Sequence, residues 1–221
     1  RNVTPSSPHP PRGSGCWRGA AMLRAMAGAV NAAWQRHPYT ANALTAATLG
    51  ATGDVGCQLL ANGELDATVP EFPVGGPHGE IDPSRTARFA AYRFFVWGPL
   101  YTGFVMSLDR VIGRGVSPQI VAAKIATDQL VWTPPSLTVF FVTMSTLEGN
   151  PLAHGCRRAF GEGFWDGSVW RVLRMNWPFW SAIHVFTFTA VPLRFRVAFV
   201  SAISVFWNGV LSGANQQARS R

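Results

Sequence analysis

The clearest pattern along the chain is a series of long apolar segments separated by shorter polar ones. The segment NWPFWSAIHVFTFTAVPL, residues 176–193, has eighteen residues with no full charge and with five aromatic rings. A helix of this length spans roughly 27 Å, close to the hydrocarbon thickness of a bilayer. A helix on the surface of a soluble protein would show a polar stripe every third or fourth residue. Two interpretations remain, a membrane-spanning helix and a buried helix in a large soluble core.

The number of such segments favours the membrane interpretation. Four more apolar segments lie at residues 38–60, 94–108, 119–147 and 197–213. Trp residues lie near several segment ends, as in the aromatic belts of membrane proteins. Pro134 and Pro135 fall inside one segment and should kink or interrupt its helix. No alternating strand pattern competes, so the chain is predicted to be all-α, an integral membrane helical bundle of four to five hydrophobic helices.

The polar stretches predict the domain boundaries. Residues 1–37 form a transit-like leader, residues 38–213 the membrane helical bundle, and residues 214–221 a polar C-terminal tail. A Gly/Pro/acidic loop at 61–86 interrupts the bundle and carries five acidic residues. Residues 148–175 form a second connection, and its latter half is predicted to be an amphipathic surface helix.

The leader contains several arginines and serines but no acidic residue, because the first acid of the chain is Asp54. This composition is typical of organelle transit sequences. Residues 17–36 are expected either to lie as an interfacial helix on the membrane or to be a flexible leader.

Composition narrows the class of protein. Charged residues make up 14% of the chain, against about 25% in typical soluble proteins. The formal net charge of +8 could suit nucleic acid, but the arginines, Arg93 and Arg196 among them, flank apolar segments as they do in membrane proteins. No nucleic-acid-binding motif accompanies them. The predicted partner is the lipid bilayer, and direct binding of nucleic acid is not expected.

No motif for a metal, a cofactor or a catalytic reaction is present. The three cysteines are widely spaced and form no CxxC pair, so neither a zinc site nor a disulfide framework is predicted. The chain also lacks a Walker loop, an HExxH motif and a GxSxG elbow. We therefore expect no cofactor and no enzymatic activity.

Polar residues inside the apolar segments are the candidate functional residues. An acid in the middle of a membrane helix costs about 2.5–3.5 kcal/mol, so it should face the protein interior or a wet cavity. Lys124 lies one turn before Asp128 and is the expected ionic partner of that acid. The predicted polar seam or conduit consists of Asp54, Gln58, Asp128, Gln129, His184 and Asn208. The alternative is that these groups form hydrogen bonds between helices and fix the packing of the bundle.

Several motifs resemble the Mpv-seventeen family, which includes the twenty-two-kilodalton peroxisomal membrane protein. They are HPYTANALTAATLGATGDVGCQ, KIATDQLVWTPP, NWPFW, VPLRFR and WNGVLS, in this order. Besides the polar residues named above, the resemblance assigns family motif positions to Gly53, Trp177, Trp180, Pro192, Arg196, Trp207 and Ser212. Ser181, His184 and Thr187 depart from the family pattern, which usually has Pro, Gln and Asn at these places.

The resemblance implies a multi-pass, non-enzymatic protein of the mitochondrial inner membrane or of the peroxisomal membrane. Two hypotheses about function follow. The first is a channel-like or solute-permeability role related to organelle homeostasis. The second is an accessory, structural subunit of a larger mitochondrial membrane complex, with the helices and the loop at 61–86 as its contact surface.

Overall fold

The computed structural model describes residues 34–60, 81–161 and 167–219, together with scattered positions between 21 and 32. The chain divides into two units, Arg1–His37 and Pro38–Arg221. In the first unit, every described position between 21 and 36 is helical. The rest of the predicted leader and residues 61–80 of the predicted loop lie outside the described residues, as do the side chains of residues 60 and 208–219.

The second unit is helical. Its helices are α1 (Pro38–Leu60), α2 (Pro83–Tyr92), α3 (Gly98–Val111), α4 (Pro118–Thr127), α5 (Thr133–Leu147), α6 (Leu152–Phe160), α7 (Ser168–Ala190) and α8 (Leu193–Arg219). Two π-helical turns, π1 (Arg93–Trp97) and π2 (Asp128–Trp132), join α2 to α3 and α4 to α5. No strand occurs in the described part of the chain, which confirms the all-α prediction.

One residue separates each π turn from a proline, Gly98 before Pro99 and Thr133 before Pro134. Proline has no N–H, so it cannot donate the regular bond to the carbonyl four residues back. The residue before each proline donates to the carbonyl five residues back, Gly98 to Arg93 and Thr133 to Asp128. The interruption predicted at Pro134 is therefore a widened turn, and α4, π2 and α5 follow one another without a break.

Small residues bring α1 close to its neighbours. A Cβ on Gly53 would lie 3.0 Å from Cγ2 of Val205 in α8, and one on Gly98 would lie 2.7 Å from Cα of Ala43 in α1. Such positions admit only a small residue, because the helix backbones approach one another closely. Helix α1 is thereby held against both α3 and α8.

The connection at 148–175 differs from the prediction. Helix α6 occupies part of it, and the stretch predicted as a separate surface helix includes the first turns of α7. Val169, Val172 and Leu173 of these turns are buried against Phe141 of α5. The apolar face of these turns therefore packs against the protein, and the predicted surface helix is the beginning of α7. At the other end, α8 continues to Arg219 and so includes most of the predicted polar tail.

One described segment, Pro118–Leu147, is long and apolar enough to cross a membrane. It comprises α4, π2 and α5. Large apolar side chains are also exposed on other helices, with Phe95 74% and Phe206 64% exposed. The figure of four to five membrane helices stays a prediction.

Candidate functional site

A cavity of about 140 Å³ lies where the helices are interrupted. Its polar wall includes Arg93, Asp128, Asn176 and His184. Its aromatic wall includes Trp97, Trp132, Trp180, Trp207, Phe89 and Phe140. The cavity therefore combines buried charge with flat apolar surfaces. A cavity of about 150 Å³ in another protein holds a single benzene ring, which sets the scale.

The two π turns supply matching residues to this cavity. RFFVW in π1 and DQLVW in π2 each begin with a charged residue and end with Val-Trp. Their first and last residues, Arg93, Trp97, Asp128 and Trp132, all line the cavity. Residues four apart on a helix share a face, so each turn presents its charge and its tryptophan together.

The carboxylate of Asp128 is held by donors from three residues. Its Oδ2 accepts from Nε2 of His184 at 3.0 Å and from Nε2 of Gln129 at 2.9 Å, with the hydroxyl of Thr133 at 3.5 Å. The second oxygen, Oδ1, is buried without a hydrogen-bond partner in the described part of the protein. Three members of the predicted polar seam, Asp128, Gln129 and His184, thus lie together in the structure.

His184 is fixed by aromatic neighbours as well as by Asp128. Its ring lies 5.6 Å from that of Trp180 and stacks on Phe188 at 5.4 Å, both on α7. Because Nε2 donates to the carboxylate, Nδ1 is the remaining nitrogen, and no partner contacts it among the described residues. This departure from the family pattern thus places an imidazole beside the acid on the cavity wall.

Trp177 completes a hydrogen bond that Pro134 removes. In the π register of π2, the carbonyl of Gln129 would accept from the N–H of residue 134, and proline has none. The indole Nε1 of Trp177 donates to this carbonyl instead, at 3.1 Å. A buried carbonyl without a donor is costly, which gives the tryptophan of the NWP motif a physical role. It ties α7 to the widened turn.

Arg93 is a cavity residue that sequence reasoning missed, because it was assigned to the charges flanking an apolar segment. Its side chain is 6% exposed, with the guanidinium 4.1 Å from the centre of the Trp97 ring. Its Nε donates to the carbonyl of Ala46 at 3.4 Å. No carboxylate of the described residues lies within ion-pair distance of it. The available signal was the repeated Val-Trp-x-Pro at 96–99 and 131–134, with a charged residue four positions before each Trp.

Asp54 and Gln58 form a separate site at the end of α1. Oδ1 of Asp54 pairs with Arg85 at 2.7 Å, and Oδ2 accepts from Gln58 and from Thr86, each at 2.7 Å. Oε1 of Gln58 accepts the backbone N–H of Asp82 at 2.6 Å. These bonds join α1 to the start of α2. The five residues do not line the cavity, so the structure does not bring Asp54 and Gln58 together with Asp128.

The predicted partner of Lys124 is wrong. Its Nζ binds Oδ1 of Asp109 at 2.5 Å, and Nη1 of Arg196 binds the same oxygen at 2.8 Å. Asp109 lies on the preceding helix, α3, and Asp128 turns toward His184 of α7 instead. The ring of Phe188 lies 5.9 Å from Lys124 Nζ and 5.4 Å from Arg196 Cζ. Sequence reasoning did not single out Asp109, which stands at the end of an apolar segment.

The remaining predicted residues are distributed along α7 and α8. Trp180 and Trp207 line the cavity, and Gly53 lies at the contact of α1 with α8. Pro192 directly precedes α8. Asn208 and Ser212 lie in α8, but their side chains are outside the described ones. In the described residues, no group of three or more His, Cys, Asp or Glu could hold a metal ion.

Comparisons with known proteins give matches over most of this chain. The model of the Mpv17 / PMP22 family matches residues 162–212. Protein SYM1 of Gibberella zeae is 33% identical over 181 residues, which are 81% of this chain and 91% of the relative. The chain belongs to the Mpv17 / PMP22 family. The matched residues include the parts of α7 and α8 that carry Asn176, Trp180, His184 and Trp207 into the cavity wall.

Other members of the Mpv17 / PMP22 family match over similar lengths. Peroxisomal membrane protein 2 of Bos taurus is 30% identical over 176 residues, 80% of this chain and 82% of the relative. Protein SYM1 of Saccharomyces cerevisiae is 28% identical over 194 residues, 86% and 90% of the two chains. No solved structure matches the chain significantly. The chain is thus a member of a membrane-protein family along most of its length.

Proposed function

We propose that this chain is a multi-pass protein of the mitochondrial inner membrane whose central cavity is part of a path for small solutes. The observation that carries the proposal is the position of Arg93, Asp128 and His184 on the wall of one cavity between interrupted helices. No catalytic step is part of this function.

The exposed apolar surface and the membership in a membrane-protein family support a location in a membrane. Apolar side chains such as Phe95, Leu130 and Val131 are 74%, 66% and 64% exposed, which suits a lipid environment better than water. The segment Pro118–Leu147 is long enough to span. We include the helices α1, α3, α7 and α8 with it in a bundle of four to five spans.

The mitochondrial location is supported by the leader, because arginine and serine without acids are typical of transit sequences. The family also contains a relative named as a peroxisomal membrane protein, so the peroxisomal membrane is the alternative location. Fractionation of cells that express the full chain, followed by alkaline carbonate extraction, tests both. Recovery in the carbonate-resistant pellet of mitoplasts supports the proposal, and release into the carbonate supernatant contradicts it.

The free energy that is needed to bury ionisable residues in a membrane protein supports the solute path. Ionisable residues inside membrane segments are expensive and commonly mark solute or ion pathways. π turns inside α-helices are frequently found at functional sites. The turns π1 and π2 each place a charged residue, Arg93 and Asp128, on the cavity wall.

Reconstitution of the purified chain into liposomes tests the path. Currents are recorded under a KCl gradient for the unchanged chain and for Asp128→Asn. The substitution removes a negative charge from the cavity wall, so the reversal potential should move toward that of anions. Glu148→Gln is the matched control, because Glu148 pairs with Arg158 outside the cavity, and it should leave the reversal potential unchanged.

The accessory-subunit hypothesis is decided by the same preparations. Absence of current in every preparation, together with migration of the gently extracted protein in a large native complex, would replace the solute path by a structural role. Current from the isolated chain would contradict that role as its main function.

A further inference from the structure

We propose that the cavity binds a small carboxylate anion with a flat apolar body, and that Arg93 is the residue that holds the carboxylate. This inference names the solute class of the proposed path, and its physiological meaning rests on that path. The binding itself requires no conduction and is measured separately.

The first argument is the absence of a carboxylate partner for Arg93 among the described residues. The other buried cations of these residues, Lys124 and Arg196, share Asp109, and the half-buried Arg85 pairs with Asp54. A buried charge without a counter-charge is costly. The ring of Trp97 and the carbonyl of Ala46 contact Arg93 but bring no negative charge. A bound anion would supply it.

The second argument is the geometry of the guanidinium group. Arginine presents its donors as a planar fork that matches the two oxygens of a carboxylate. The Nε–H of Arg93 donates a hydrogen bond to the carbonyl of Ala46, and the guanidinium group lies over the ring of Trp97. The side chain lines the cavity, so the fork is set at its wall by the first residue of π1.

The third argument is the shape of the remaining wall. Trp132 stacks on Phe104 at 4.8 Å, and Trp207 stacks on Phe179 at 4.2 Å. Rings held by such contacts have few alternative rotamers, so they form flat, rigid surfaces. With a volume of about 140 Å³, the space suits a ligand with about one ring.

Asp128, the acid on the cavity wall, does not favour a cationic ligand. Oδ2 of Asp128 already accepts from three side chains. Its Oδ1 is buried, so a ligand cannot reach it without displacing protein groups. The charged group that a ligand can contact directly is therefore Arg93, while Asp128 acts on the cavity through its field.

Equilibrium binding of benzoate to the full chain in detergent micelles tests the proposal. Titration is followed by calorimetry and by the fluorescence of the tryptophans. Acetate supplies the charge without the ring, benzyl alcohol the ring without the charge, and benzylammonium the ring with the opposite charge. Benzoate should bind at least about tenfold more tightly than any of the three, as expected for a charge-assisted hydrogen bond to a buried partner.

Two variants locate the site. Arg93→Met keeps much of the side-chain volume, removes the charge, and should weaken benzoate binding roughly tenfold to a hundredfold. Arg110→Met is its matched control, since Arg110 is exposed at the end of α3. Ser204→Leu fills the cavity while Arg93 stays in place, and it should abolish binding. Its control is Ser107→Leu on the exposed face of α3, because both hydroxyls donate only to a carbonyl of their own helix.

The outcomes separate the two proposals. Loss of benzoate binding in Arg93→Met and Ser204→Leu, with retention in both controls, supports the site whether or not the liposomes conduct. Equal binding in Arg93→Met and the unchanged chain would overturn it, as would tighter binding of benzylammonium than of benzoate. If Arg93→Met does not fold, Ser204→Leu and the ligand series on the unchanged chain decide the question. Absence of current together with benzoate binding would reject the solute path and leave the binding site.

Discussion

Two buried charge clusters of this protein solve the same physical problem in different ways. In the first, Oδ1 of Asp109 binds Lys124 and Arg196 directly, at 2.5 Å and 2.8 Å. In the second, Arg93 lines a cavity and has no carboxylate partner among the described residues, and Asp128 on the same cavity pairs with His184. The first cluster, here called closed, pairs its charges directly with one another. The second, here called open, has a cavity beside its charges.

The comparison separates structural charge from candidate functional charge. Lys124 is 0% exposed and belongs to a cluster that joins α4 to α3 and α8, which is the interhelical role that sequence analysis gave as its alternative. Arg93 joins no second helix through an ion pair in the described residues. Composition cannot tell the two apart, because both are single basic residues next to apolar segments. The difference is the presence of empty volume beside the charge.

Removing the shared acid of the closed cluster should have the largest effect. Asp109→Asn leaves Lys124 and Arg196 buried without their counter-charge, and loss of one member of a buried ion cluster costs roughly 3–5 kcal/mol. Denaturant unfolding in micelles, followed by circular dichroism, measures the free energy of unfolding. Glu148→Gln should cost less than about 1 kcal/mol, because that ion pair is near the surface. Equal losses in the two variants would remove the distinction between the clusters.

Adding a methyl group at the close contact between Gly98 and Ala43 should have the next largest effect on stability. In Gly98→Ala the new methyl would lie 2.7 Å from Cα of Ala43 and 2.8 Å from the carbonyl of Arg93. Backbone must shift, at a cost of about 1–3 kcal/mol, and the position of Arg93 should change with it. Gly103→Ala is the control, because its nearest neighbour is Tyr39 Oη at 3.5 Å, an ordinary contact. Thermal unfolding of both variants in the same detergent checks the prediction, and an unchanged Tm in Gly98→Ala would contradict the close approach.

The acid of the open cluster should matter less for stability than Asp109. Asp128→Asn keeps the size of the side chain, and its neighbours Gln129 and Thr133 carry no charge, so the loss should be about 1–2 kcal/mol. The measurement is the same unfolding experiment. A loss as large as that in Asp109→Asn would show that the cavity wall depends on an ion pair as fully as the closed cluster does.

The smallest effect is expected at the indole of Trp177. Trp177→Phe leaves the carbonyl of Gln129 without its donor and should cost about 1 kcal/mol beyond the change in ring size. In Pro134→Ala the new N–H can donate to that carbonyl, so Trp177→Phe should cost less in this background. A double-mutant cycle on the free energy of unfolding isolates the coupling. A coupling of zero would mean that the proline and the tryptophan act independently.

Several features of the fold were predictable from the sequence. The long charge-poor segments predicted helices, and the bounds of α1 and the end of α7 lie close to those predicted. Asp128, Gln129 and His184 were grouped because polar residues inside apolar segments must find one another. The grouping of Asp54 with Gln58 succeeded for a simpler reason, since residues four apart share a helix face.

The incorrect predictions share one cause, which is that the sequence does not show what packs against each residue. Lys124 was paired with the acid nearest along the chain, whereas its partner lies on another helix. Arg93 was taken for a flanking charge, because a one-dimensional pattern does not distinguish the end of a span from a turn widened inside a longer helix. The first turns of α7 were assigned to a surface, because an apolar face does not state what covers it.

The amino-acid sequence by itself determined that the long apolar segments are helical and that prolines disturb them, since apolar periodicity and proline act within a few residues. Only the tertiary structure decided which charges are neutralised and which face a cavity. Asp109 meets Arg196 across 87 positions of the chain, and Trp177 meets Gln129 across 48. Contacts over such distances depend on how whole helices pack, and no local pattern specifies that packing.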